Sequence, residues 1–240
     1  MRVSQWFIVA TALFVTCLIT ANVIAVKLVA IGGQILPAGI VIFPVSYILG
    51  DVLTEVYGIR RARLVIWTGF GCNALFVAAA WLGGILPAAG FWDGQPAYER
   101  ILGFTPRLLA ASLVAYLVGE FANAYVLTWL KALTRGRWLW TRTIGSTLVG
   151  EGLDSLLFVG LAFAGILPVR TLLITAATQW LIKTGYEALA TPLTYLVVNF
   201  LKRAEHEDYY DIGTNFNPFH LSVPQARTQR GGDPPRNDAA

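Results

Sequence analysis

Six acids stand inside runs otherwise too apolar to hold them: Asp51, Glu55, Glu120, Glu151, Asp154 and Glu187. Two bases, Lys27 and Lys183, join them. A charged side chain at the centre of a bilayer costs roughly 2.5 to 3.5 kcal/mol on the insertion scale, so these groups require pairing, proton uptake or a wet cavity. Acids outnumber bases here, and mutual pairing cannot absorb the surplus. An excess of buried carboxylate suits a substrate with several N–H donors or a positive charge, or a proton path.

Helical spacing gathers these groups into stripes. Tyr47, Asp51 and Glu55 recur at every fourth position with Thr54 alongside, and so do Gln179, Lys183 and Glu187. Glu151, Asp154 and Ser155 share one face, as do Tyr116, Glu120 and Asn123. Tyr47, Tyr116, Tyr125 and Tyr186 add aromatic faces for a flat substrate. Plainer roles compete for each residue. Lys183 and Glu187 could pair within one helix, and Asp51 and Glu55 could bind Arg60, Arg61 or Arg63 at an interface. Asn22 and Asn123 fit as interhelical glue, Lys27 as a snorkelling side chain, and Trp81, Trp92, Trp138 and Trp140 as interfacial anchors.

The elements carrying these stripes follow from composition. The 240 residues are 56% hydrophobic and only 13% charged, with mean hydropathy +0.60. About a quarter of a soluble domain is charged, so the expected solvent is a bilayer and a soluble enzyme is excluded. Apolar runs predict an all-α polytopic fold with six transmembrane helices, at about 5–30, 39–57, 63–84, 107–131, 143–167 and 171–200, within a membrane domain spanning 1–204. The first run is too long for a signal-peptide core and lacks a small-x-small cleavage site, so it is read as helix one. Residues 205–222 are expected to form an ordered cytoplasmic tail and 223–240 to be disordered. Arg2, the Arg60–Arg63 group, the bases from Lys131 to Arg142 and those from Lys202 onward fall at one end. Only Arg100, Arg107 and Arg170 fall at the other, so the positive-inside rule puts both termini in the cytoplasm. The net charge of +4 is read as anchoring to the inner leaflet, with no nucleic-acid partner.

Catalytic and energising motifs are missing. No HExxH or GxxxxGK[ST] occurs, both histidines, His206 and His220, lie in the tail, and Gly150-Glu151-Gly152-Leu153-Asp154 is one residue too long for the GxGD of membrane aspartyl proteases. No catalytic residue, metal or cofactor is expected.

Longer motifs carry a resemblance. They are Ala21-Asn22-Val23-Ile24-Ala25-Val26-Lys27-Leu28; the run from Phe43-Pro44-Val45-Ser46-Tyr47 through Gly50-Asp51 and Thr54-Glu55 to Gly58, with Arg61-Ala62-Arg63; and Thr105-Pro106-Arg107 leading to Tyr116, Gly119-Glu120 and Asn123. Glu151-Gly152-Leu153-Asp154-Ser155, Lys183 with Pro192-Leu193-Thr194-Tyr195, and Asp208-Tyr209-Tyr210-Asp211 with Thr214-Asn215-Phe216-Asn217-Pro218-Phe219 complete the set. Over about residues 20–220 the chain resembles the queuosine precursor transporter family, also called the vitamin uptake transporter family. The resemblance implies a six-helix bacterial inner-membrane importer of 7-cyano- or 7-aminomethyl-7-deazaguanine, and, with no GxxxxGK[ST] loop in the sequence, a secondary carrier or facilitator is the expected mechanism. It also implies likeness to the substrate-binding components of energy-coupling-factor vitamin transporters. The alternative is such a binding subunit for another vitamin or nucleobase, serving a separate ATPase module. A homodimer is left open.

A guanine-like edge offers N1–H and exocyclic NH₂ donors that a carboxylate accepts in bidentate fashion. The expected site draws that carboxylate from Asp51, Glu55, Glu120, Glu151 and Asp154. Asn22, Lys27, Asn123, Gln179 or Lys183 would serve the O6 side, Tyr47 or Tyr116 would stack on the ring, and Glu187 completes the lining.

Overall fold

The computed structural model describes residues 4–31, 34–103, 106–205, 209, 211 and 217–219. The order is α1 (Gln5–Ile24), β1 (Leu28–Ile31), β2 (Gln34–Pro37), a 3₁₀ turn (Ala38–Val41), α2 (Phe43–Ile85), α3 (Gln95–Leu102), α4 (Pro106–Leu133), α5 (Leu139–Phe163) and α6 (Val169–Glu205). The chain is mostly helical, and its polarity is inverted. Asp51, Glu55, Glu120, Asn123, Glu151 and Glu187 are buried, while Leu75, Leu173, Leu189 and Leu196 face outward. Water would reverse that distribution, and lipid tolerates it. Four helical runs among the described residues, Gln5–Ile24, Phe43–Ile85, Gln95–Leu133 and Leu139–Phe163, are long and apolar enough to cross a membrane by length and composition.

Two expectations need correction. Helix one ends at Ile24, not near residue 30, and the chain turns into a small antiparallel hairpin that pairs Leu28 with Pro37 and Ile31 with Gln34. Among the described residues the chain is mostly helical, and this hairpin departs from the all-α expectation. Val26, Val29, Ile31 and Ile35 are β-branched, and Gly32-Gly33 between the strands is a hairpin composition. The Ala38 amide donates to the Lys27 carbonyl at 2.7 Å and closes the hairpin.

The runs at 39–57 and 63–84 merge into α2, which is interrupted only at Gly58 (φ 79°, ψ 163°). That backbone conformation is essentially restricted to glycine. The chain doubles back there. A Cβ built on Gly50 or on Gly69 would lie 3.5 Å or 3.1 Å from the same Phe14 ring, although a straight helix would separate those positions by about 28 Å.

Helices α4 and α5 approach closely where Gly119 faces Gly150. A Cβ on Gly150 would meet the Asn123 Cβ at 2.6 Å and the Gly119 carbonyl at 2.9 Å. Small residues at such a crossing let two backbones pack without a hydrophobic drive. The crossing sets Asn123 opposite Gly150 and Asp154 opposite Gly119. At one end of the bundle, the Ser4 hydroxyl caps α1 by accepting from the Phe7 amide at 3.1 Å and itself donates to the Glu205 carboxylate. The start of α1 and the end of α6 therefore lie together.

Candidate functional site

The buried charges sort into three groups along the bundle. Nearest the Gly58 reversal, Glu55 of α2 takes Arg142 Nε on Oε2 at 2.8 Å and Arg142 Nη2 on Oε1 at 2.7 Å. Lys202 Nζ donates to Oε1 at 2.7 Å, and Lys131 Nζ stands 3.4 Å from it while donating to the Glu55 carbonyl at 2.5 Å. One fully buried carboxylate thus ties α2 to α4, α5 and α6. Three cations already surround this one carboxylate, the arrangement a buried structural ion-pair hub requires. Arg60, Arg61 and Arg63 are not the partners; Arg61 lies over the Tyr57 ring, 5.7 Å from its centroid.

The described part of the tail docks beside this hub. Asp211 Oδ2 accepts the Ile59 amide at 2.8 Å, capping the helix that restarts after Gly58. Lys131 also donates to the Tyr209 carbonyl at 2.9 Å, and Trp67 Nε1 donates to the Pro218 carbonyl at 2.9 Å with Phe219 against its ring. Residues 206–208, 210, 212–216 and the expected disordered stretch 223–240 lie outside the described residues.

The middle group is Asp51 with Asn123, and Glu187 of α6 is a further buried acid. Asn123 Nδ2 donates to Asp51 Oδ1 at 2.6 Å. Asp51 Oδ2, Asn123 Oδ1 and Glu187 Oε1 are buried and make no hydrogen bond among the described residues. Glu120 is buried on the neighbouring face. It lines, with Phe14, Gly50, Thr54 and Ile66, a cavity of about 10 Å³, space for one water at most.

The third group lies one to two turns further from Gly58. Lys183 Nζ of α6 sits 2.6 Å from Asp154 Oδ2 and 2.8 Å from Glu151 Oε2, both on α5. The ammonium also stands 4.5 Å from the Phe43 ring centroid and 6.0 Å from that of Tyr47, whose hydroxyl is buried without a hydrogen bond among the described residues. Phe43 and Tyr47 tilt against each other at 5.2 Å. An ammonium held between two carboxylates and two aromatic faces is a polar, flat-walled arrangement in an otherwise apolar bundle.

The remaining candidates fall elsewhere. Asn22 Nδ2 donates to Asn73 Oδ1 at 3.1 Å and joins α1 to α2, as interhelical glue does. Tyr116 donates its hydroxyl to the Ile66 carbonyl at 3.0 Å and holds α4 on α2. Lys27 is exposed beside the hairpin, and Gln179 is half-buried on α6. Lys183 pairs across to α5 rather than with Glu187 along its own helix.

Sequence reasoning missed Lys131, Arg142 and Lys202, which it read as bases at one end of the bundle, and Phe43, which only the turn-by-turn spacing to Tyr47 would have flagged. A crevice of about 490 Å³ between Val23, Trp92, Tyr98 and Ile101 is apolar, and none of the carboxylates lines it. Among the described residues no group of His, Cys, Asp and Glu is placed to hold a metal ion.

A family model described as "Putative vitamin uptake transporter" matches residues 37–197. The chain is 31% identical over 191 residues to the probable queuosine precursor transporter of Bacillus subtilis (strain 168), spanning 78% of this chain and 82% of that protein. To the queuosine precursor transporter of Escherichia coli (strain K12) it is 28% identical over 124 residues, 50% of this chain and 52% of that protein. No solved structure matches. Both relatives are named as transporters and neither as an enzyme, in keeping with a multi-pass membrane protein whose buried polar groups face one another and whose apolar side chains face outward. The chain belongs to the vitamin uptake transporter family.

Proposed function

We propose that this protein imports queuosine precursors, 7-cyano- or 7-aminomethyl-7-deazaguanine, across a bacterial inner membrane as a secondary carrier or facilitator. The observation that carries the reading is Lys183, held 2.6 Å from Asp154 and 2.8 Å from Glu151 against the rings of Phe43 and Tyr47. An entering deazaguanine stacks on the aromatic pair, gives its N1–H and NH₂ to one carboxylate, and takes the ammonium of Lys183 on O6. The substrate thereby replaces part of an ion pair instead of stranding a charge, and binding does not have to meet the full cost of an unpaired buried carboxylate.

The crossing number proposed is six. At 43 residues, α2 is about 64 Å long if straight, roughly twice a hydrocarbon core of about 30 Å, and its reversal at Gly58 supplies two crossings. The sixth is α6, whose polar stripe lowers its mean hydropathy. The contact between Ser4 and Glu205 supports an even number, and the clustering of bases at that end puts both termini in the cytoplasm.

The test is uptake of the two labelled precursors and of queuine by a strain that neither makes nor imports them, expressing this chain. Accumulation of a precursor, lost in Asp154→Ala and Lys183→Ala at equal expression, is the expected result. No uptake by the wild type refutes the substrate, and uptake only when an ATPase pair is co-expressed favours a binding subunit instead.

A further inference from the structure

We propose that Glu151 makes the Lys183 site selective for charge: it receives an ammonium on the 7-substituent of the precursor, so the 7-aminomethyl form binds in preference to the neutral 7-cyano form. The proposal rests on the carrier reading above and adds what that same site selects.

Positive charge is what this site lacks. Lys183 Nζ stands 2.6 Å from Asp154 Oδ2 and 2.8 Å from Glu151 Oε2, so a single ammonium serves two carboxylates. Both acids are buried, at 6% and 2% exposed. The bases Lys131, Arg142 and Lys202 gather at Glu55, and Lys27 is exposed beside the hairpin. Hydrogen-bonding capacity is in better supply. The hydroxyls of Thr147, Ser155 and Thr184, on the same two helices as the three charges, are buried without a hydrogen bond among the described residues, and so is that of Tyr47. Hydroxyls donate or accept as needed, but they bring no charge. A ligand carrying one positive charge balances the second acid, and a neutral ligand does not.

The two carboxylates are not equivalent. Lys183 donates a hydrogen bond to Asp154 Oδ2 at 2.6 Å, whereas Glu151 Oε2 has the ammonium 2.8 Å away and accepts no hydrogen bond among the described residues. Glu151 is the acid with capacity left for a donor.

The order of groups also matches. Asp154, Lys183 and Glu151 run acid, base, acid, with the ammonium in contact with both neighbours. One side of 7-aminomethyl-7-deazaguanine runs donor, acceptor, donor: N1–H with the exocyclic NH₂, then O6, then the ammonium on the 7-substituent beside O6. With N1–H and NH₂ on Asp154 and O6 on Lys183, the 7-substituent falls toward Glu151. An aliphatic ammonium is charged at neutral pH, as that of lysine is, and gives the carboxylate a charge-assisted bond. The nitrile of the 7-cyano form offers an acceptor lone pair, which a carboxylate repels. The rings of Phe43 and Tyr47, with centroids 4.5 and 6.0 Å from Lys183 Nζ, favour a cation here as well.

The test is calorimetric binding to the purified full-length protein at neutral pH, with 7-aminomethyl-, 7-hydroxymethyl- and 7-cyano-7-deazaguanine as ligands. The hydroxymethyl compound nearly matches the aminomethyl one in size and is uncharged. Wild type is expected to bind the aminomethyl form at least about tenfold more tightly than either neutral form. In Glu151→Gln the ratio of aminomethyl to hydroxymethyl affinity should fall to about one, whatever the absolute affinities. Wild type that binds all three ligands with no preference for the aminomethyl form overturns the proposal without any substitution and leaves the carrier reading standing. An undiminished preference in folded Glu151→Gln overturns it too. No binding of any of the three by the folded wild type refutes the carrier reading and this proposal with it.

Discussion

Arg142 grips Glu55 through two parallel bonds of 2.8 and 2.7 Å across 87 residues of sequence, with both side chains almost completely buried. The guanidinium fork also donates to the Arg137 carbonyl at 2.9 Å, so it fixes the entry of α5 as well as the end of the first half of α2. Removing one partner of such a pair leaves an uncompensated charge. Arg142→Ala is expected to lower stability by about 3 kcal/mol, the low end for a buried pair because Lys202 and Lys131 remain. Thermal melting in detergent checks this, and Glu55→Gln should cost at least as much, because it leaves Arg142, Lys131 and Lys202 without their shared carboxylate.

Gly58 carries a second prediction. Its φ of 79° is closed to side chains, and a Cβ there would lie 2.4 Å from the Tyr209 ring. Gly58→Ala should cost about 1 to 3 kcal/mol in a melting experiment. With the chain ended at Glu205 the ring contact disappears, so the alanine penalty should shrink without vanishing, because the backbone part stays.

Gly150 tests the link between packing and the buried pair. An alanine there pushes on the Asn123 Cβ and the Gly119 carbonyl, and the latter is backbone that cannot swing aside. Gly150→Ala is expected to destabilise by roughly 1 to 3 kcal/mol, the usual cost of overpacking. It should also reduce uptake by moving Asn123 off Asp51; melting temperature and transport rate, measured together, check both effects.

The stripes of acids were legible because the helical period alone places Asp51, Glu120, Glu151, Asp154 and Glu187 on inward faces. The motifs from Asn22 onward were enough to point to the family. Their partners were not legible. Lys131, Arg142 and Lys202 stand at helix ends, where a base reads as interfacial, and only a long side chain reaching back along the bundle brings them to Glu55. That changes the charge count: the hub neutralises one acid with three bases from helix ends, and the acids left without a base include Asp51, Glu120 and Glu187. The hairpin at Leu28–Pro37 was missed for a different reason. Its short apolar strands continue the apolar run of helix one, and composition does not register the change from helical to alternating period over four residues.

Lys183 and Lys27 make a paired prediction, since both were candidates for the same role. Lys183 is held among Glu151, Asp154 and the Phe43 ring, whereas Lys27 is exposed beside the hairpin. Lys183→Ala should lower precursor uptake tenfold or more, corresponding to at least about 1.4 kcal/mol, and Lys27→Ala should leave it within about twofold. Uptake assays on the two variants at matched expression decide between them.

Equilibrium binding of 7-cyano-7-deazaguanine to the purified protein, measured calorimetrically for wild type and Asp154→Ala, tests the central claim most directly. Saturable binding weakened at least about tenfold by the substitution is the predicted result. No binding by the folded wild type, or equal affinity in the two proteins, would contradict the account.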